Sequence, residues 1–235
     1  MLRPTLDSTG FSVVPNVIPG EQIASLIAAL ERQFALADGA LRLRGGNVYA
    51  VRNLLQLVPE VRLVAASTPV RTLIESVLGS AAFPVRSLLF DKTAEANWKV
   101  FWHQDVTIAV SKRIDFPGFG PWSTKAEVQH VEAPVGVLEK MLTLRIHLDA
   151  CDESNGPLNV LPGSHTQGKL NEEMLQDWRR RTTSATCLAQ SGDVLFMRPL
   201  LVHASSPAVK PAHRRVIQIE FTAGQLPGGL LWHGQ

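Results

Sequence analysis

Eight short segments in the second part of the chain constrain the fold more than any other feature of the sequence. Each is apolar or β-branched, and turn residues separate it from the next, which is typical of strands in a β-sandwich or barrel. The segments are Phe83–Phe90, Trp98–His103, Met141–Leu148, Leu158–Leu161, Thr186–Ala189, Asp193–Met197, Leu200–Ala204 and Arg215–Phe221. They predict a mainly β core between residues 82 and 222.

The first 80 residues carry helical patterns instead. After a short strand at Phe11–Ile18, apolar residues recur at helical spacing, and Gly79 follows the last helix as a C-cap would. The predicted helices are Glu21–Leu36, Val58–Ala66 and Pro69–Leu78, with a loop at Gly39–Gly46. Because no linker or repeat divides the 235 residues, we expect a single domain, 1–235, in which a helical layer (1–80) packs on the β core.

Composition excludes several classes of protein. The 23 Lys and Arg residues nearly balance the 21 Asp and Glu residues, and a net charge of +2 is too small for nucleic-acid binding. The basic run Trp178–Arg181 has acidic neighbours, which indicates a solvated helix face. The sequence contains no apolar run long enough for a membrane span and no signal-peptide pattern. Cys151 and Cys187 form no CxxC motif, so we expect a cytoplasmic, reducing environment.

The motif His103-Gln104-Asp105 at the end of a predicted strand is the first candidate for chemistry. Residues i and i+2 of a strand share a face, so His103 and Asp105 project together. An imidazole and a carboxylate are two of the three ligands in a 2-His-1-carboxylate triad, which leaves open positions on a non-haem iron. An HxD pattern alone is common, and the third ligand has to come from elsewhere.

His203 is the candidate for that third ligand, because it closes the apolar strand that begins at Leu200. A histidine at the end of a buried strand needs a partner, and a metal ion would supply one. Eleven residues later, Arg214 opens the next strand. A hairpin places this guanidinium beside the metal pocket, where it can hold a distal carboxylate through two hydrogen bonds.

Taken together, these motifs resemble the iron(II)- and 2-oxoglutarate-dependent oxygenases of the phytanoyl-CoA dioxygenase family. The resemblance covers roughly residues 82–222 and includes further stretches between the ligand segments. These stretches are Phe90-Asp91-Lys92, Asn155-Gly156-Pro157-Leu158 and Leu161-Pro162-Gly163-Ser164-His165.

The resemblance implies a double-stranded β-helix, a jelly-roll or cupin-like barrel, with iron(II), 2-oxoglutarate and O₂ as cofactors. It implies that His103, Asp105 and His203 bind the metal and form the catalytic centre. Arg214 would hold the distal carboxylate of 2-oxoglutarate. Arg215 is its rival for that role, but strand alternation sends the two arginines to opposite faces, and the spacing of eleven residues favours Arg214. The implied reaction is hydroxylation of an unactivated C–H bond of a small molecule, with release of succinate and CO₂.

Other residues are weaker candidates. Lys92 is either a further contact to the co-substrate or an exposed lysine. In Met141–Leu148, the polar residues Thr143, Arg145 and His147 alternate with apolar ones. This pattern makes Thr143 a candidate for cofactor binding and Arg145 a candidate for substrate binding, unless their face is exposed to solvent.

Position in a loop makes Arg52 and Trp122 substrate candidates. The segment Asp115–Trp122, rich in glycine, proline and aromatic residues, is either a structured loop over the pocket or a surface crossover. We expect His165 to be structural. We expect a surface position for three other histidines, His130, His213 and His233.

Two further functions remain open at this point. The chain could be a non-catalytic jelly-roll module that binds or regulates, or a cupin-like enzyme or hydrolase that uses another metal. The sequence does not identify the substrate, because the loops that determine specificity differ among proteins that share a fold.

Overall fold

The computed structural model describes residues 2–36, 41–44 and 47–234 of the chain. The helices are α1 (Leu2–Thr9), α2 (Gly20–Leu36), α3 (Leu54–Leu57), α4 (Pro59–Ala65), α5 (Thr68–Leu78), α6 (Val135–Leu138) and α7 (Glu172–Arg181). The first seven strands are β1 (Phe11–Val14), β2 (Leu41–Arg44), β3 (Asn47–Arg52), β4 (Phe83–Lys92), β5 (Val100–His103), β6 (Thr107–Val110) and β7 (Trp122–Lys125). The others are β8 (Val128–Glu132), β9 (Met141–His147), β10 (Leu158–Val160), β11 (Ala185–Cys187), β12 (Val194–Met197), β13 (His203–Ser205) and β14 (Arg214–Thr222).

Two sheets form the barrel that the sequence predicts. The large sheet has the strand order β1-β12-β9-β14-β4-β3-β2, and the small sheet has the order β11-β10-β13-β5. Side chains from both sheets line a single cavity between them. This arrangement confirms the predicted mainly β, jelly-roll class.

The outer face of the large sheet carries the main hydrophobic core. Leu144 and Ile146 of β9 and Ile217 and Ile219 of β14 pack there with apolar residues of α2, α4 and α5. Because side chains of a strand alternate between faces, the intervening residues of the same strands point into the barrel. The structure therefore confirms that the two faces of β9 have different environments, and Thr143, Arg145 and His147 are buried inside the barrel rather than exposed.

The N-terminal part differs from a purely helical layer. Strands β2 and β3 extend the large sheet beyond β4, so part of the predicted loop Gly39–Gly46 is a strand at Leu41–Arg44. The other residues of that loop, 39–40 and 45–46, lie outside the described residues. β2 pairs with β3, which in turn pairs with the edge of β4, and tertiary pairing of this kind leaves little local signal in the sequence.

A third sheet, with the order β6-β8-β7, lies beside the barrel and was absent from the sequence-based prediction. It packs around Ile108, Val110, Val131 and Trp232. Over the described ranges, no helix combines the length and the apolar character needed to cross a bilayer.

Candidate functional site

Two side chains of the motif His103-Gln104-Asp105 meet His203, which is distant in sequence. β5 and β13 pair so that His103 lies opposite His203, and the ring centroids are 4.3 Å apart. Asp105 follows β5 and places its carboxylate oxygens 3.8 Å from Nε2 of His103 and 3.9 Å from Nε2 of His203. One ligand atom from each of the three residues lies within 4.8 Å of the others. This is the geometry of a 2-His-1-carboxylate metal site.

Backbone contacts fix the tautomer of both histidines. Nδ1 of His103 lies 2.8 Å from the carbonyl oxygen of Phe101, and Nδ1 of His203 lies 2.9 Å from that of Leu201. Since a carbonyl can only accept, each Nδ1 donates the hydrogen bond and each Nε2 keeps a free lone pair. Both rings thus present Nε2 toward Asp105, in the form that binds a metal.

Neighbouring side chains hold the two ligand segments together. Gln104 donates from Nε2 to the carbonyl oxygens of Gly168 and Leu200, at 2.8 and 2.7 Å, and accepts from the amide of Leu170. Ser164, in the Pro-Gly-Ser-His motif, accepts a hydrogen bond from the amide of Val202, directly before His203. Gln104, which lies between two of the ligands, therefore helps to position the triad. The turn that contains Ser164 does the same, although it is far from both ligand segments in sequence.

Burial and charge set the protonation of the triad. Burial lowers the pKa of His203 to about 4, so its neutral, metal-binding form predominates at neutral pH. Burial alone would raise the pKa of Asp105, but His203 and His103 hold it below its ordinary value. Asp105 is therefore ionised, as a metal ligand must be.

The triad opens into a cavity of about 160 Å³ between the two sheets. Its wall contains both apolar side chains and several charged or polar ones. The lining residues are Arg86, Leu88, Phe90, Trp98, Val100, His103, Asp105, Arg145, Leu158, His203, Ser205, Arg214 and Gln218.

Arg214 reaches this cavity from the first position of β14. Its side chain is buried, and Nη1 donates to the carbonyl oxygen of Gly156 and, at 3.5 Å, approaches Oγ of Ser205. Nε of Arg214 has no hydrogen-bond partner among the described residues. Arg215 points the other way and forms two hydrogen bonds, at 2.8 and 2.9 Å, with Asp149. Strand alternation thus separates the two arginines as the sequence predicts.

Gly156 explains the Asn-Gly turn of the sequence. It has a φ of +64°, and a side chain there would lie 2.7 Å from the carbonyl oxygen of Ser206. Only glycine tolerates both that backbone angle and that close approach. The turn brings the Gly156 carbonyl to Arg214 and to the hydroxyl of Ser205, which donates to it at 2.9 Å.

Lys92 is completely buried behind this group, so its alternative as an exposed lysine is wrong. Nζ donates to Oγ of Ser205 at 2.7 Å and to the carbonyl oxygen of Ser206 at 2.6 Å. Burial lowers the pKa of Lys92 to about 7, and the charge of Arg214 contributes to the decrease. Lys92 is not one of the residues that line the cavity, but it holds Ser205, which lines the cavity together with Arg214.

Arg145 lies in the cavity wall, whereas Thr143 is buried in the same strand but outside the wall. Nη1 of Arg145 donates to Oε1 of Gln218 at 2.5 Å. The sequence analysis missed Gln218 and the ion pair between Arg86 and Glu220, at 3.1 Å across β4 and β14. The alternation of polar and apolar residues along β14 is the signal that could have found Gln218 and Glu220.

Arg52 and Trp122, the two substrate candidates chosen by loop position, are not among the residues that line the cavity. Arg52 belongs to β3, and Trp122 begins β7 and packs against the apolar cluster of the third sheet. The loop Asp115–Trp122 likewise contributes no lining residue.

The surface position expected for His130 is wrong. His130 is 2% exposed on the central strand of the third sheet, because a strand with two neighbours buries alternate side chains even when they are polar. His213 is exposed, with its Nδ1 2.8 Å from Oδ2 of Asp91, and His233 is half-buried.

The residues present fit an iron ion and an anionic co-substrate. Two Nε2 atoms and a carboxylate are suitable ligands for non-haem iron and occupy only part of its coordination sphere. The cavity wall also includes the buried guanidinium of Arg214, whose Nε has no hydrogen-bond partner among the described residues and which a carboxylate would satisfy.

Comparison with solved structures gives the same fold. AviO1 from Streptomyces viridochromogenes Tue57 matches with a TM-score of 0.69 at 23% identity, covering 96% of this chain and 95% of that one. EctD from S. alaskensis, solved with 2-oxoglutarate and 5-hydroxyectoine, matches with a TM-score of 0.73 at 18% identity, over 93% and 74%. The epimerase SnoN, in complex with Fe³⁺, alpha ketoglutarate and nogalamycin RO, matches with a TM-score of 0.71 at 18% identity, over 97% and 90%.

No curated protein matches the chain. The family model described as phytanoyl-CoA dioxygenase (PhyH) matches residues 6–216, which include the triad, Arg214 and both sheets of the barrel. The match therefore extends well beyond the segments that first suggested the resemblance. This chain belongs to the phytanoyl-CoA dioxygenase family.

Proposed function

We propose that this protein is an iron(II)- and 2-oxoglutarate-dependent dioxygenase that hydroxylates an unactivated C–H bond of a small molecule. The observation that carries the proposal is the joint presence of the His103-Asp105-His203 triad and Arg214 in the wall of one cavity. Iron and 2-oxoglutarate are its cofactors, since the family and the solved neighbours are oxygenases of this type. When bound, the iron with O₂ and 2-oxoglutarate supplies an oxidant, and succinate and CO₂ are released.

Each residue has a role that follows from its position. His103, Asp105 and His203 hold the metal on one side only, which leaves the side facing the cavity accessible to ligands. Arg214 binds the distal carboxylate, while Gly156 and Ser205 fix the position of its guanidinium. Phe90 and Trp98 in the cavity wall exclude water from the site and offer an apolar surface to a substrate.

The experiment is an anaerobic titration of the purified protein with Fe(II) and then with 2-oxoglutarate. A visible metal-to-ligand charge-transfer band that requires both additions, and is lost in Asp105→Ala, supports the proposal. Admission of O₂ should then give succinate, even without substrate, at a slow uncoupled rate. No band despite bound iron would favour a cupin-like enzyme with another metal. A protein that forms the band but never yields succinate would be a binding module.

The reaction on the substrate is tested separately. The neighbours include a carbocyclase and an epimerase as well as EctD, so hydroxylation has to be measured rather than assumed. A screen of small molecules for substrate-stimulated succinate release, followed by mass spectrometry, distinguishes the outcomes. A product heavier by one oxygen atom supports hydroxylation, and one of unchanged mass or lighter by two hydrogen atoms contradicts it.

A further inference from the structure

The cavity contains a second buried arginine whose charge has no acidic partner. Arg145 is 7% exposed, and its one hydrogen-bonded side-chain partner in the described chain is the neutral Gln218. Its Nε has no partner, like that of Arg214. Two other arginines on strands of the large sheet are each paired with a carboxylate, Arg86 with Glu220 and Arg215 with Asp149. Arg145 and Arg214, which line the cavity, have no such carboxylate partner among the described residues.

Burial of an unpaired charge is unfavourable, and an arginine cannot relieve it by losing its proton. Burial lowers the pKa of Arg145 only to about 10, so the group stays charged at neutral pH. An anion from outside the chain would compensate this charge.

The position of Arg145 indicates which anion. In the register of the large sheet Arg145 pairs with Gln218, four positions along β14 from Arg214. After burial, the charge of Arg214 has the next largest effect on the pKa of Arg145, which it lowers, while Asp105 raises it. Arg145 therefore lies within electrostatic reach of both the metal triad and Arg214, where the co-substrate would span the cavity.

We propose that Arg145, held by Gln218, binds the carboxylate next to the keto group of 2-oxoglutarate, while Arg214 binds the distal carboxylate. This inference rests on the proposed function and assigns Arg145 to the co-substrate instead of the substrate. It makes the site selective for a 2-oxo acid with two carboxylates, each matched to its own guanidinium.

Two 2-oxo acids distinguish the roles of the two arginines. Dissociation constants for 2-oxoglutarate and for pyruvate, which keeps only the keto-acid end, are measured anaerobically on the Fe(II) protein from the charge-transfer band, so turnover is not needed. Arg145→Met should weaken both ligands by about 10- to 100-fold, because it removes a charge-assisted contact that both share. Arg214→Met should weaken 2-oxoglutarate by a similar factor and leave pyruvate unchanged. Arg198→Met, which removes an arginine outside the cavity, is the matched control.

A melting curve without ligands separates binding from folding. Removing an uncompensated buried charge should leave the melting temperature of Arg145→Met equal to or above that of the wild type, and Arg145→Lys should restore part of the affinity. Unchanged affinities in Arg145→Met would overturn the proposal, as would a loss confined to 2-oxoglutarate. If the wild type forms no band with either acid, the proposed function itself fails, which is a different result.

Discussion

The two faces of the large sheet differ in what they stabilise. On the outer face, Ile217 and Ile219 are fully buried against helices and satisfy every requirement of a hydrophobic core. On the inner face of the same strand, Arg214 and Gln218 are also buried, yet they are polar, and Nε of Arg214 has no hydrogen-bond partner among the described residues. The comparison teaches that the apolar side chains of the outer face stabilise the fold. The buried polar side chains of the inner face lower its stability, but they provide groups that can bind a ligand.

The sharpest way to break this comparison is to remove the metal site. Asp105→Ala should abolish iron-dependent succinate formation, because the two histidines alone hold the metal weakly. The melting temperature should change by less than about 5 °C, since Asp105 is not part of a hydrophobic core. Iron content after gel filtration, succinate release and a melting curve measure the three effects. Full turnover in this variant would show that Asp105 is not a ligand.

A substitution on the outer face should do the opposite. Ile217→Ala removes buried apolar volume and should lower the free energy of unfolding by about 2 to 4 kcal/mol. The dissociation constant of 2-oxoglutarate, measured well below the melting temperature, should stay within about twofold, because Ile217 does not line the cavity. Chemical denaturation and the anaerobic titration provide the two numbers. A large loss of affinity would show that the faces are coupled.

Arg214 and Arg215 are neighbours in the chain but point to opposite faces of the sheet, so they test the comparison between the two faces. Arg214→Met should raise the dissociation constant of 2-oxoglutarate by about 30- to 100-fold through loss of a charge-assisted carboxylate contact, with little effect on stability. Arg215→Met should leave affinity unchanged and destabilise the fold by about 1 to 2 kcal/mol, because Asp149 loses both hydrogen bonds. The opposite pattern would show that strand parity does not assign the co-substrate arginine.

The smallest effect concerns pH. The folded protein depresses the pKa of Lys92 to about 7 from an ordinary 10.5, so above pH 7 the unfolded chain binds a proton that the folded chain does not. Stability should therefore rise between pH 7 and 8.5 by an amount that Lys92→Met removes. Denaturation at several pH values in this range measures the slope. An identical slope in the variant would contradict the low pKa.

The sequence predicts those parts of the site that follow from spacing along one strand. His103 and Asp105 share a face, Arg214 and Arg215 do not, and the alternation in β9 separates Arg145 from Leu144. These relations depend only on the two-residue period of a strand. The family resemblance supplied the rest of the ligand set, and the match over residues 6–216 confirms the family.

Contacts between strands are harder to predict from the sequence, because they depend on the register of the strands. The Arg86–Glu220 pair and the Arg145–Gln218 hydrogen bond join residues more than 70 positions apart, at 134 and 73. Neither pair leaves a local pattern that identifies the partner. For the same reason, the sequence analysis did not predict the third sheet or the burial of His130 within it.

The sequence alone therefore determined the face on which each strand residue lies, because that depends on periodicity, and its resemblance to a family supplied the class of fold and the expected triad. Only the tertiary structure decided which buried charges have partners. Arg86 and Arg215 each have a carboxylate partner, whereas Arg145 and Arg214 have none among the described residues. For Arg86 and Arg145, which both lie beside β14, the difference depends on which residue of β14 the register places opposite, Glu220 or Gln218. Register, which is set by the packing of the whole barrel, therefore decides whether an arginine of the barrel has a carboxylate partner within the fold.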